Sequence, residues 1–246
     1  MDRMLYIGMT GAKESLLAHG LNNNNLANAS TTAFRQDLAQ FRSMPVFGPG
    51  VPSRVYAMTE RPGTDFKPGP LETTGRALDV AVRGQGWIAI QAPDGTEAYT
   101  RAGNMHITDA GILVTAGGYP VMGGGGPIAV PPADSIEIAA NGLVSIVPQG
   151  QGAAAQAVID QIRLVAHDSQ QMEKGSDGLM RYKPGVAPIQ DQNLQLMSGM
   201  LERSNVNVVE SMVRMIDLSR HYEMQVKVMK TADELDSASD SLLRMS

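Results

Sequence analysis

The sequence predicts an α+β protein in which paired long N- and C-terminal helices, coiled-coil-like, flank an antiparallel β-rich domain. Three observations predict it. Apolar residues recur at alternating spacings of four and three near both ends, prolines crowd the stretch after the first of these segments, and short alternating runs separated by glycine turns fill the middle.

At the N-terminus, Leu5, Met9, Ala12, Leu16, His19, Asn23 and Leu26 form one stripe of a helix. Two of them are polar, and Gly8 and Gly11 lower helix propensity, so this helix needs a partner to bury its stripe. Asn23 belongs to the run Asn22–Asn25, and an Asn on a packed stripe fixes register at some cost in stability. The C-terminal segment repeats the spacing with Val208, Met212, Met215, Ser219, Tyr222, Val226 and Met229. Asn207 is the expected N-cap, with Glu210 three residues on in a capping-box arrangement. Neither proline nor glycine follows it, so a helix of roughly 35–40 residues, roughly 50–60 Å long, is expected.

Between these ends, Pro45, Pro49, Pro52, Pro62, Pro68 and Pro70 oppose helix and central strand, and residues 36–76 read as mostly extended connection with short strands. From Leu78 the pattern changes. Leu78, Val80 and Val82 alternate with Asp79, Ala81 and Arg83, and turns are expected at Asp94-Gly95, Ala110-Gly111, Gly117-Gly118 and Asn141-Gly142. The clearest hairpin joins Ile136 and Ile138 to Val144 and Ile146 across Asn141-Gly142. The expected organisation is an N-terminal helix (1–35), a Pro-rich extended linker (36–76), a β-rich outer domain (77–185), a return linker (186–203) and a long C-terminal helix (204–246).

Composition narrows the function. An apolar content of 43% in 246 residues supports a sizeable core, which with 4% aromatics must rest on aliphatics, alanine and methionine. A net charge of −5 and no Lys/Arg run give no general attraction to nucleic acid. The absence of cysteine excludes disulfides, Cys-bound zinc and thiol catalysis. Met1 to Ser15 does not read as a cleaved secretory signal.

No catalytic constellation emerges. Gly84-Gln85-Gly86-Trp87-Ile88-Ala89 matches a dinucleotide fingerprint in letters, but a strand and not a helix is expected after it. Gly123–Gly126 is followed by Pro127 and Ile128, where a phosphate loop needs Lys and Ser/Thr. His19, His106, His167 and His221 lack helical metal-pair spacing. Asp65 with Glu72, and Asp94 with Glu97, read as turn formers. Hence no cofactor, metal or small-molecule substrate is expected. The candidate functional residues are instead an assembly interface of Leu5, Met9, Ala12, Leu16, Asn23, Leu26, Val208, Met212, Met215, Tyr222, Val226 and Met229.

Two terminal motifs carry a resemblance. Asn24-Asn25-Leu26-Ala27-Asn28-Ala29-Ser30-Thr31 with Phe34-Arg35, and Leu201-Glu202-Arg203-Ser204-Asn205-Val206-Asn207-Val208-Val209 with Arg220-His221-Tyr222-Glu223, resemble the ends of flagellar rod and hook (axial) proteins. The middle agrees through Thr74-Gly75-Arg76-Ala77-Leu78-Asp79, Gly84-Gln85-Gly86-Trp87 and Tyr99-Thr100-Arg101-Ala102-Gly103, so the resemblance covers nearly the full chain. Ala33 departs from it, standing where the family usually has Gly; a positive φ there would strain alanine.

The resemblance implies a structural subunit of the basal-body rod in the periplasm. It would be exported unfolded by the flagellar type III export apparatus and polymerise with other rod subunits into a hollow driveshaft that carries torque to the hook. The surrounding ring proteins would be further partners. Within the family it leans to the proximal rod, with the distal rod as alternative. A secreted cell-wall-acting enzyme or carbohydrate-binding module is the remote alternative.

Overall fold

The computed structural model describes residues 3–45, 55–150, 155–166, 168, 170–191 and 193–244. Pro49, Pro52 and His167 lie outside these residues. The chain divides into two compact units, one of residues 1–29, 35–65 and 206–246, the other of residues 30–34 and 66–205.

The first unit holds helix α1 (Arg3–Ala27), strands β1 (Asp37–Pro45) and β2 (Val55–Thr64), and helix α2 (Val208–Arg244). The strands form an antiparallel ribbon running from Asp37 opposite Thr64 to Pro45 opposite Val55, with a register shift between Leu38 and Gln40. Both strands are edges, and Pro62 sits at the irregularity, where a missing N–H costs little. Helix α2 begins as expected: the Asn207 side-chain oxygen accepts the amides of Val209 and Glu210 at 3.1 and 3.3 Å. Glu210 does not return the bond, because its carboxylate takes Arg214 at 3.2 Å instead.

The coiled-coil-like pairing of long helices does not form. One N-terminal helix of 25 residues and one C-terminal helix of 37 flank a mostly antiparallel β-rich region, so only the broad α+β class stands. Of the stripe residues only part lies in the seam, Met229 against Gly8 among them, and the rest of the contact uses glycines and polar side chains. Gly8 faces Met229, Gly11 faces Gln225, and Asn22 donates to the carbonyl of Ser211, so α1 and α2 run antiparallel. The glycines explain the difference: lacking Cβ, they let the helices approach closely, and a Cβ on Gly8 would fall 2.8 Å from the Met229 side chain. The stripe residues Met9 (52%), Leu16 (55%) and Met212 (50%) stay exposed.

The second unit is all antiparallel strand. Its elements are β3 (Leu71–Thr73), β4 (Val80–Arg83), β5 (Gly86–Gln91), β6 (Glu97–Thr100), β7 (Met105–Ile107), β8 (Leu113–Thr115), β9 (Ala133–Ile138), β10 (Leu143–Pro148), β11 (Ala157–Gln161), β12 (Leu164–Ala166), β13 (Met172–Lys174), β14 (Met180–Tyr182), β15 (Gln195–Ser198) and β16 (Met200–Glu202). They form a five-stranded sheet β12-β5-β6-β14-β13, a three-stranded sheet β11-β10-β9, and the pairs β15-β4, β16-β3 and β7-β8. The expected hairpin is present, with Val144 opposite Ile138 and Ile146 opposite Ile136, closed by Gly142 at φ 83°.

Alternation places Val80, Val82, Ile88, Ile90, Leu113, Val121, Ile138 and Val144 in one aliphatic core. A second cluster gathers Trp87, Tyr99, Val165, Met172 and Met180. The first is aliphatic, as the composition demands, and the second gathers the aromatics Trp87 and Tyr99 with Phe66 and Tyr182 packed against them.

Gly103 is buried against the Val80 carbonyl, where an added Cβ would collide with backbone. Gly103→Ala is therefore expected to destabilise the β-rich unit by about 3 kcal/mol, measured by urea unfolding followed through Trp87 fluorescence.

Candidate functional site

The sequence-predicted interface residues fall into three environments. Met9, Leu16, Asn23, Val208, Met212 and Val226 are exposed; Leu5, Leu26, Met215, Tyr222 and Met229 are half-buried; Ala12 is buried. With Tyr6, Leu17, Val209, Val213, Ile216 and Leu235 also exposed, both helices carry broad uncovered apolar faces. Each large side chain on such a face would gain about 1.5–3 kcal/mol if fully buried, which makes the two faces candidates for an interaction surface.

The asparagine run divides. Asn23 is exposed, its Nδ2 3.0 Å from Nδ1 of His19. Asn22 and Asn25 are each 2% exposed. Asn22 Nδ2 donates to the Ser211 carbonyl at 2.8 Å, tying α1 to the first turn of α2. Asn25 pairs twice with the backbone of Asp37, donating to its carbonyl at 2.8 Å and accepting its N–H at 2.9 Å. That double bond holds the start of β1 to the end of α1, as a peptide group in a ladder would. The stripe pattern missed both residues because it asked which side chains were apolar, not which backbone groups needed partners.

A second constellation lies wholly in the β-rich unit. Arg101 and Glu202 are buried and joined at 2.7 Å. The guanidinium also donates to the carbonyls of Val82, Gly84 and Gly86 and stands 5.9 Å from the centre of the Trp87 ring. Glu202 accepts the Gly69 amide on its side chain and the Ala33 amide on its carbonyl, at 2.9 and 2.8 Å. Nearby, the Lys174 ammonium sits 4.2 Å from the centre of the Phe34 ring. Arg101 and Glu202 belong to motifs quoted above, yet nothing in one sequence pairs two charges so far apart.

The remaining candidates are structural. The glycine loop wraps its own carboxylate: Asp160 accepts the Gly124 amide, and a Cβ on Gly123 would collide with it. Gly84 turns at φ 86° into strand β5, as expected, leaving no helix N-terminus for a pyrophosphate. A shallow cleft of about 140 Å³ is lined by Gly124, Asn141, Gln161, Arg163 and Asp191. Its polar groups are largely spent internally, Gln161 on the Asn141 carbonyl and Arg163 on Glu97.

Among the described residues, no group of three or more His, Asp or Glu side chains could hold a metal ion. The ionisations that shift are those of structural networks. A hydrogen bond from Arg181 holds Asp177 below the usual carboxylate range and raises Arg181 in turn, while a hydrogen bond from Thr96 lowers Asp94. Burial, reinforced by Glu97, pushes the Tyr99 phenol upward, and burial likewise raises Tyr182.

Comparison with known proteins adds two independent likenesses. Residues 81–146 match the family described as Flagellar hook protein FlgE/F/G D1 domain, and residues 197–242 match Flagellar basal body rod FlgEFG protein C-terminal. The chain is 39% identical over 252 residues to the flagellar basal-body rod protein FlgF of Salmonella typhimurium, covering 100% of both chains. It is 32% identical to FlgF of Caulobacter vibrioides over 97% of each chain. To the flagellar basal-body rod protein FlgG of Bacillus subtilis it is 32% identical, over 96% of this chain and 97% of that one.

Ala33 adopts φ 56°, the one non-glycine with positive φ among the described residues. A left-handed alanine costs about 1–2 kcal/mol, partly offset on replacement by the greater unfolded freedom of glycine. Ala33→Gly is expected to stabilise the β-rich unit by about 0.5–1 kcal/mol; an unchanged or lowered urea midpoint would show that the turn is not strained.

Proposed function

The chain belongs to the flagellar basal-body rod protein family, and from that membership we infer that it is a structural subunit of the bacterial flagellar rod, not an enzyme. Its place is the periplasmic part of the basal body, and it assembles with other flagellar axial subunits.

The finer reading is that copies polymerise in the proximal rod into a hollow shaft that transmits torque. The observation that carries it is the broad apolar surface left uncovered on α1 and α2. Leu5, Met9, Ala12, Leu16, Asn23, Leu26, Val208, Met212, Met215, Tyr222, Val226 and Met229 are the proposed assembly residues. An open helical assembly needs two complementary surfaces on each subunit, and two helices with separate apolar faces can supply them. Close side-by-side contact along helices resists torsion, because shear must break packing along their whole length.

The sequence-based division of the chain, with a β-rich outer domain between residues 77 and 185, belongs to the same proposal. So do delivery of the unfolded chain by the type III export apparatus and contact with the surrounding ring proteins. A place in the distal rod is the second reading. The 32% identity to an FlgG protein keeps it open, and the 39% identity to an FlgF protein favours the first.

Leu16→Asp and Met212→Asp test the assembly surface. Each puts a charge on an exposed face, so the β-rich unit should stay folded by Trp87 fluorescence while motility is lost. Normal swimming of both variants would overturn the proposed interface.

A further inference from the structure

Arg101 and Glu202 stand 101 positions apart in the chain, yet their side chains are 5% and 0% exposed. All three guanidinium nitrogens donate within the β-rich unit. Nε reaches Glu202 at 2.7 Å, Nη1 reaches the carbonyls of Gly84 and Gly86 at 2.9 and 2.7 Å, and Nη2 reaches that of Val82 at 2.9 Å. The cation is thus built into the turn between β4 and β5, and its ion-pair partner among the described residues arrives much later in the chain.

That partner comes on a strap. Strand β16 lies against β3, with Glu202 opposite Leu71. The amide of Arg203 donates to Pro70, and that of Asn205 to Phe34, at 2.9 and 3.3 Å. The Asn205 side chain reaches the Lys67 carbonyl at 3.1 Å. Residues 200–205 therefore bind segments 33–34 and 67–73 together over the buried charge.

We propose that residues 200–205 are a closing strap: the β-rich unit completes its fold only when Glu202 reaches Arg101. Chains are synthesised from the N-terminus, so the β5–β6 hairpin and the β4–β5 turn whose carbonyls take the guanidinium exist before Glu202 does. Until then the Arg101 cation must either be buried unpaired or keep its surroundings open to water, and burying a lone charge is the costlier course. A partly synthesised chain thus cannot present a finished β-rich unit. The inference does not rest on the proposed assembly or export, since synthesis order is common to every chain. Trp87, the sole tryptophan, lies beside the guanidinium and reports the closure directly.

The test is refolding of the full-length chain from urea, followed by Trp87 fluorescence and by pulsed hydrogen exchange. The Ala33 and Gly69 amides, which bond to Glu202, report the strap; those of Ala89 and Val121 report the core. Both sets should gain protection in one phase in the unaltered chain. In Glu202→Leu, core protection should slow on the order of a hundredfold, and Arg101→Met/Glu202→Leu, which removes both charges, should recover to within about tenfold of the unaltered rate. Core protection at the unaltered rate in Glu202→Leu, with only Ala33 and Gly69 left unprotected, would overturn the proposal. So would a double variant as slow as the single one. If Glu202→Leu does not fold at all, folding of the double variant supports the strap and its failure refutes it.

Discussion

The buried pair of Arg101 and Glu202 is the constraint on which the β-rich unit depends. A guanidinium with every nitrogen occupied requires the Val82, Gly84 and Gly86 carbonyls, the carboxylate, and the Gly69 amide on that carboxylate to be in place together. Such a pair adds little net stability over an apolar filling of the same shape, but either half alone is strongly unfavourable. Its effect is therefore selective. It leaves one arrangement of four separate chain segments that satisfies the charge, and it accounts for Gly69, where a side chain would strike the Arg203 backbone.

The two units use opposite strategies. The β-rich unit closes on itself, with an aliphatic core, a small aromatic cluster and a fully paired interior charge. The helical unit spends its small and polar residues on internal contacts: Gly8 and Gly11 on close approach, Asn22 and Asn25 on backbone groups. Many of its large apolar residues, Met9, Leu16, Met212 and Val213 among them, remain outside. A chain with that distribution keeps apolar area available for partners, which suits a subunit that assembles with other axial subunits.

Where local rules decide the structure, it was legible in the sequence. The hairpin across Asn141-Gly142, the turns at Gly95, Gly111 and Gly118, the N-cap at Asn207 and the strain at Ala33 all follow from residue type and short spacing. The helix seam did not follow. A four-three stripe identifies an apolar face but cannot say whether that face is covered within the chain or between chains, and here the internal contact uses glycines that looked like weaknesses. Asn23 drew notice for lying on the stripe, while its neighbours Asn22 and Asn25 carry the buried hydrogen bonds. In the proline-rich stretch, extended backbone was readable but the β1–β2 pairing was not, because proline is tolerated where both strands are edges. The Arg101–Glu202 pair lay in recognisable motifs, yet pairing across 101 positions is set by the whole topology and leaves no local trace.

The most direct measurement of the central claim is imaging of intact basal bodies by electron cryomicroscopy at side-chain detail. A rod subunit of this kind lies in the rod with Met9, Leu16, Met212 and Val226 covered by neighbouring subunits. Finding those side chains facing solvent within the rod, or the chain outside the rod altogether, would contradict it.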